Sequence, residues 1–374
     1  MTLAIDMIGT SLGSGTKSYN LNFCKHVCKN NLEEKIYIFI TQDYLDNLNV
    51  FKNHNINFII KSSIFTNIFF RLIWMQLFLP FELKRLKVDQ LFSPMNMCPL
   101  ILKILRIKNT LALHSNLPWV YFKYMPGNLI RNIFTKYLIK LSINFCDKLI
   151  VPSEFAKNEI IEKLKLDKQK VFSVYLGIDE RYLLSESKSY IKDFDYSSYI
   201  ISVLSCVRYH NIINLLKGFK QFKKETNSNI KFVLVMQILD KNYFNEVKSY
   251  ISQNFSEGEI IFFHNLSGEY LVNLYKKAKL YIFTSYCEVF GLTSLEAMSQ
   301  GCPVLISNRS ALKEVNSKAV HYFDPDDNQK IYEGIKIILE DKDYRDQLIS
   351  RGDKHFKKFN WDKTVKETLK ILNN

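Results

Sequence analysis

The sequence lacks four things, and each absence excludes a class of protein. It has no paired cysteine framework: the seven cysteines, at 24, 28, 98, 146, 206, 287 and 302, are scattered and sit mostly in apolar runs. Cys24 and Cys28 lie one helical turn apart, which buries one face more often than it binds zinc. A reduced, cytoplasmic protein without disulfides or structural zinc is expected. A secretion signal is not expected either, because Met1-Thr-Leu-Ala-Ile-Asp6 reads directly as strand-type residues. No clean membrane span is present: the greasiest segment, Ile64 to Phe81, is interrupted by Asn67, Arg71, Gln76 and Pro80. A spanning helix needs about 20 mostly apolar residues. Acids, finally, are scarce in one region. Residues 51–150 hold 14 Lys and Arg against 3 Asp and Glu, so +11 of the net +14 falls there and the other 274 residues carry +3. Charge concentrated in this way suggests a partner surface: anionic lipid, nucleic acid or a phosphorylated substrate.

What is present is enough for two cores. At 374 residues, 47% hydrophobic and 14% aromatic, the chain exceeds one ordinary domain and is too apolar for wholesale disorder. The rest is organised around residues 280–307, LYIFTSYCEVFGLTSLEAMSQGCPVLIS. Leu280 to Tyr286 reads as a strand, Gly291 breaks it, and Leu292 to Gln300 has a helical period with Thr293 or Ser294 as a capping hydroxyl. Gly301 and Pro303 end the helix and Val304-Leu-Ile-Ser resumes a strand. Such a turn leaves backbone N–H groups unpaired at Gly291, Leu292 and Thr293, at the positive end of the helix dipole. They form a cradle for an anion such as a diphosphate. Glu288 and Glu296 flank it. Acids beside a phosphate site suit the hydroxyls of a sugar and a ribose, so the stretch describes a site for a sugar nucleotide.

C-E-V-F-G-L-T-S-L-E-A-M-S-Q-G-C-P-V resembles the signature of retaining glycosyltransferases of family 4, with two acids eight positions apart. The resemblance implies an α/β chain of GT-B fold: two Rossmann-like domains facing across a cleft, with a C-terminal helix crossing back to the first domain. It divides the chain into an acceptor domain at 1–180, a linker at 181–198, a nucleotide-sugar domain at 199–355 and the returning helix at 356–374. It also implies that Glu288 orients the donor sugar, that Glu296 holds the ribose, and that Phe290, Gly291, Leu292 and Thr293 meet the phosphates through backbone donors. No catalytic metal or cofactor is implied beyond a UDP-, GDP- or ADP-sugar as co-substrate. Asp324-Pro-Asp326 accordingly reads as a turn.

Other segments extend the likeness. A strand over 3–8 leads into a glycine turn, and Gly13 and Gly15 match the family's first-strand loop, which approaches the donor. Strands are expected at 36–40, 56–60, 88–94 and 111–114, with one long helix from Ser63 to Lys87 and another amphipathic helix over 120–150. His114 ends its strand, where parallel sheets bind ligands, and the family's histidine there meets the donor sugar. Val151-Pro-Ser-Glu-Phe-Ala-Lys157 and Leu176-Gly-Ile-Asp179 resemble family segments as well. In the second half, Ser205 stands near the family's arginine position and His210 at its lysine position, so Arg208 and His210 are expected to meet the diphosphate's charge. A histidine carries positive charge only when protonated. Leu266 lies in the turn where the nucleotide base rests.

Two basic, aromatic helices in the first half fit an anionic bilayer, and a solvated basic surface is the plainer alternative. Hence the expected reading is a glycosyltransferase acting on a glycan or lipid-linked acceptor in surface-polysaccharide or lipopolysaccharide synthesis, peripheral on the inner face of the plasma membrane. A GT-B binding or scaffold protein weakened by His210 is the alternative. No nucleic-acid-binding module is present.

Overall fold

The computed structural model describes residues 2–9, 14–30, 34–46, 48, 55–183, 189–264 and 266–373. Thirteen strands are formed among them. The first seven are β1 (Thr2–Asp6), β2 (Lys35–Thr41), β3 (Ile56–Lys61), β4 (Gln90–Ser93), β5 (Lys108–Ala112), β6 (Lys148–Val151) and β7 (Val171–Ser173). They make one sheet in the order β3-β2-β1-β4-β5-β6-β7, and every pair is parallel. The next six are β8 (Tyr199–Cys206), β9 (Lys231–Ile238), β10 (Ile260–His264), β11 (Leu280–Phe283), β12 (Val304–Ser307) and β13 (His321–Phe323). These form a second parallel sheet, β10-β9-β8-β11-β12-β13. Crossover helices between parallel strands cover both faces, so the strands read as nearly continuous apolar runs such as Leu280-Tyr-Ile-Phe283, all buried. Each unit is Rossmann-like.

One compact unit comprises Met1–Pro118, Leu129–Gly177 and Asn360–Asn374, and the other Trp119–Asn128 and Ile178–Phe359. The division therefore falls at Gly177, ahead of the polar 181–198 stretch. A short segment of the first half, 119–128, belongs with the second unit, where the Tyr121 ring stacks on Tyr286 at 6.4 Å. The terminal helix Trp361–Asn373 packs in the first unit against the helix Ser14–Lys29. Trp361 is buried there, 5.4 Å from the Tyr19 ring, and His26 Nδ1 lies 2.8 Å from Asp362. Gly177 must be glycine, since a Cβ would come within 2.3 Å of the Trp361 nitrogen.

The helix expected over Ser63–Lys87 is corrected in one respect: it is broken. A 3-10 turn, Ser63–Thr66, precedes the α-helix Ile68–Ile73, then a π turn over Trp74–Phe78 leads to the helix Leu79–Arg85. Pro80 lacks an N–H and its ring crowds the preceding turn, and the widened turn absorbs that. Over 120–150 the long helix starts only at Leu129 and runs to Phe145. Asp324 and Asp326 do lie at a turn, both paired with Arg309 at 2.9 and 3.1 Å.

Candidate active site

In the second sheet the strand order reverses between β8 and β11, and the loops leaving their carboxyl ends mark the switch point where open parallel sheets bind ligands. The loop after β8 is a single 3-10 turn over Arg208–His210, closed by Asn211 at φ 55°. The two loops are tied together: Thr284 Oγ1 donates to the His210 carbonyl at 2.6 Å, and the Tyr286 N–H to the Tyr209 carbonyl at 2.8 Å.

His210 is buried between two acceptors. Its Nδ1 lies 2.6 Å from the Ser205 carbonyl and its Nε2 3.1 Å from Glu288 Oε1. A carbonyl can only accept, so Nδ1 carries a proton, and Nε2 is the ring nitrogen that faces the Glu288 carboxyl group. Glu288 is held from behind as well: its N–H donates to Ser310 Oγ at 2.9 Å and its carbonyl accepts from the Ala311 N–H at 3.2 Å. Ser205 thus contributes its backbone oxygen.

Three residues on, Gly291 takes φ 95° and opens the helix Leu292–Ser299 without a side-chain cap. Glycine is required twice over, by that angle and because a Cβ would meet Leu312 Cδ2 at 2.5 Å. No acceptor among the described residues meets the N–H of Gly291, Leu292 or Thr293. Phe290 turns its ring into the core, 5.7 Å from Phe359, and Thr293 Oγ1 accepts from the Tyr281 hydroxyl at 2.7 Å.

Glu296, one turn further along, is half-buried and accepts from the Tyr275 hydroxyl at 3.3 Å. Burial first, and then the nearby Asp179, push its pKa up to about 7, against the opposing pull of Tyr275, Arg181 and Tyr182. Arg181 pairs with Asp179 at 2.9 Å and lies over Gly268, where a Cβ would approach its guanidinium to 2.4 Å. Leu266, half-buried, sits just before the helix Gly268–Lys277, so the turn expected to take a base adjoins the Glu296 cluster.

Arg208 is placed differently from expectation. Its guanidinium pairs with Glu246, 38 positions on, and stacks 5.2 Å above the Tyr243 ring. In the first unit His114 has its Nε2 3.0 Å from the Pro94 carbonyl and its ring 4.3 Å from Tyr19. Burial lowers its pKa to about 4, so at neutral pH Nε2 carries the proton and Nδ1 is an acceptor. Gly15 lies in the first turn of the helix Ser14–Lys29, with open space where a Cβ would be. Gly13 and Asn265 lie outside the described residues. Ser310, Asp179, Arg181, Tyr275 and Tyr281 were given no role by the sequence. Asp179 falls in a family-like segment, while nothing local marks the two tyrosines.

The family model described as Glycosyltransferase Family 4 matches residues 13–182, and that described as Glycosyl transferases group 1 matches residues 190–355. The chain belongs to this family of glycosyltransferases and has the GT-B fold. Among relatives, the O-antigen chain mannosyltransferase RfbU of Salmonella typhimurium is 23% identical over 68% of this chain and 66% of its own length. The O-antigen chain mannosyltransferase B of Escherichia coli is 24% identical over 66% of this chain and 65% of its own length. The match thus spans just under two thirds of each relative. Among solved structures, Anabaena HepE, in complex with UDP and glucose, superposes with a TM-score of 0.72 at 14% identity, covering 100% of both chains.

Proposed function

We propose that the protein is a retaining glycosyltransferase. It moves a sugar, mannose in the first instance, from a nucleotide-sugar donor to a glycan or lipid-linked acceptor in surface-polysaccharide or lipopolysaccharide synthesis. The observation that carries this reading is the unmet row of amides at Gly291–Thr293, with His210 and Glu288 beside it at the β8/β11 switch point. The names of the O-antigen relatives support the sugar and the product class.

In this reading the amides and His210 stabilise the charge that grows on the departing diphosphate. The bond between the anomeric carbon and the phosphate oxygen breaks, and the acceptor oxygen bonds to the same face. Its proton passes to the departing phosphate oxygen. No protein base is called for, and the positive charge comes from the protein without a metal. Glu288, with Oε1 on His210, offers its second oxygen to a sugar hydroxyl, and Glu296 accepts from the ribose. His114 would meet the donor sugar through Nδ1, on the family resemblance. The protein would work at the inner face of the plasma membrane, against anionic lipid, through residues 51–150. Among the described residues no helix is long and apolar enough to cross a membrane.

A GT-B binding protein without turnover is the second reading, favoured by the pairing of Arg208 with Glu246, which leaves His210 without that guanidinium. Incubation with UDP-, GDP- and ADP-sugars and an oligosaccharide or lipid-linked acceptor, with the product's anomeric configuration read by NMR, separates the two. A retained configuration is expected, lost in Glu296→Ala with folding intact. Full turnover in that variant, or an inverted product, contradicts the assignment.

A further inference from the structure

The helix Leu129–Phe145 carries a solvent-facing apolar stripe besides its buried face. It buries Asn132, Ile139, Ser142 and Ile143, while Ile130, Ile133, Phe134 and Tyr137 point into solvent at a spacing that forms one stripe. In a globular domain such a stripe ordinarily faces the core. The same excess occurs on two neighbouring elements: Phe81 on the helix Leu79–Arg85 is 68% exposed and Ile104 in the 94–107 loop is 83% exposed. Hydrogen bonds join the three. Gln76, in the π turn that leads into the helix Leu79–Arg85, donates to the Cys98 carbonyl at 3.2 Å and accepts from the Leu100 N–H at 3.0 Å. The Cys98 N–H donates to Ser142 Oγ at 3.2 Å. The exposed apolar residues therefore belong to connected elements of one unit.

Near Phe81 and Ile104 is an open hollow of about 530 Å³ at the amino-terminal ends of β4 and β5, whose lining includes Lys84, Lys87, Arg106 and Lys108. None of these four has an ion-pair partner among the described residues. The hollow's one acid, Asp89, is occupied by the Thr2 N–H at 2.7 Å. Lys87 at φ 52° and Arg106 at φ 57° each stand at a left-handed position where glycine or asparagine is usual. Both follow the same reversal, with Val88 N–H on the Leu83 carbonyl and Ile107 N–H on the Leu102 carbonyl. Lys84 follows Phe81 by one helical turn and Arg106 follows Ile104 by two residues, so these cations share one border with Phe81 and Ile104, and the hydrogen bonds through Gln76, Cys98 and Ser142 tie that border to the helix that carries the stripe.

We infer that this border and the stripe on the helix Leu129–Phe145 together form a bilayer-docking face, with Phe81, Ile104, Ile130 and Phe134 entering the acyl boundary and the Lys84–Lys108 hollow receiving anionic lipid headgroups. The inference deepens the membrane contact proposed above and rests on it. Charge complementarity selects the occupant: a solvated protein surface needs no phenylalanine stripe, and a neutral partner needs no cluster of unpaired cations.

The test is co-sedimentation of the full chain with extruded vesicles of phosphatidylcholine alone or mixed with phosphatidylglycerol. Wild type is expected to pellet with the anionic vesicles and weakly with the neutral ones. Ile130→Ser/Phe134→Ser and Lys84→Gln/Lys108→Gln should each lower partitioning by roughly tenfold or more. All four positions are exposed, so folding should survive, and a thermal melt of each variant checks this. Nucleotide titration of the same samples without vesicles reports separately on the glycosyltransferase reading. Equal recovery with both vesicle types, or unchanged recovery of the variants, overturns the docking face. So does a wild-type dimer that Ile130→Ser/Phe134→Ser dissociates while no form pellets, since the stripe would then belong to a second copy.

Discussion

Glu296 and His210 show how far side-chain chemistry depends on neighbours distant in sequence. The carboxyl of Glu296 titrates near 7 instead of its ordinary 4.5, because it is held partly out of water beside Asp179. The folded state thus disfavours the carboxylate. The unfolding free energy should fall as pH rises from about 4.5 to about 7 and level off above. Glu296→Gln removes that loss, so it should raise Tm at pH 8 relative to wild type and leave it unchanged at pH 5; the same Tm difference at both values contradicts the shift. An ionised carboxylate also accepts better from ribose hydroxyls, so nucleotide affinity should weaken below about pH 7 in wild type. For His210, alanine should weaken nucleotide binding by roughly tenfold or more, with lysine restoring it, since either side chain can donate a hydrogen bond to a diphosphate. An alanine variant that binds as wild type would remove His210 from the site. The spacing of the two glutamates is legible in the sequence. The partners that tune them, Asp179, Tyr275 and Ser310, are not, since no local pattern records a contact across the sheet.

At the scale of elements, the helix Leu292–Ser299 forms where its glycine, period and stop signals place it, because those signals act within a few residues. Gly291→Ala should cost about 1–3 kcal/mol, from the left-handed angle and the contact with Leu312, and should weaken nucleotide binding with it. Unchanged stability and binding would argue against the strained turn. Tertiary packing decided what the sequence hid. The π turn at Trp74–Phe78 breaks a helix whose period looked continuous. Helix Leu129–Phe145 buries Asn132 and Ser142 while it exposes Ile130 and Phe134, which no solvent-exposure argument from period alone predicts. Trp361, the first residue of the terminal helix, supports Tyr19, which in turn packs on His114. Trp361→Ala should cost the first unit about 3–5 kcal/mol, seen as a drop of several degrees in Tm. A shift below about one degree would show that the ring is not a support.

Across the whole molecule, two parallel sheets wound in the same order put their switch points between β1 and β4 and between β8 and β11. That arrangement was legible because buried parallel strands are nearly continuous apolar runs, and because one motif carries the strand–turn–helix–strand signals of the second unit. The placement of 119–128 with the second unit was not, since its tyrosines find their partner Tyr286 far along the chain. The edge strand His321–Phe323, only three residues long, gave no pattern to read. The central claim is that the amides of Gly291, Leu292 and Thr293 grip a diphosphate. Calorimetric titration of the wild-type chain with UDP, GDP and ADP tests it most directly. At least one nucleotide is predicted to bind at a single site, with affinity reduced in Gly291→Ala; no binding of any of the three would contradict it.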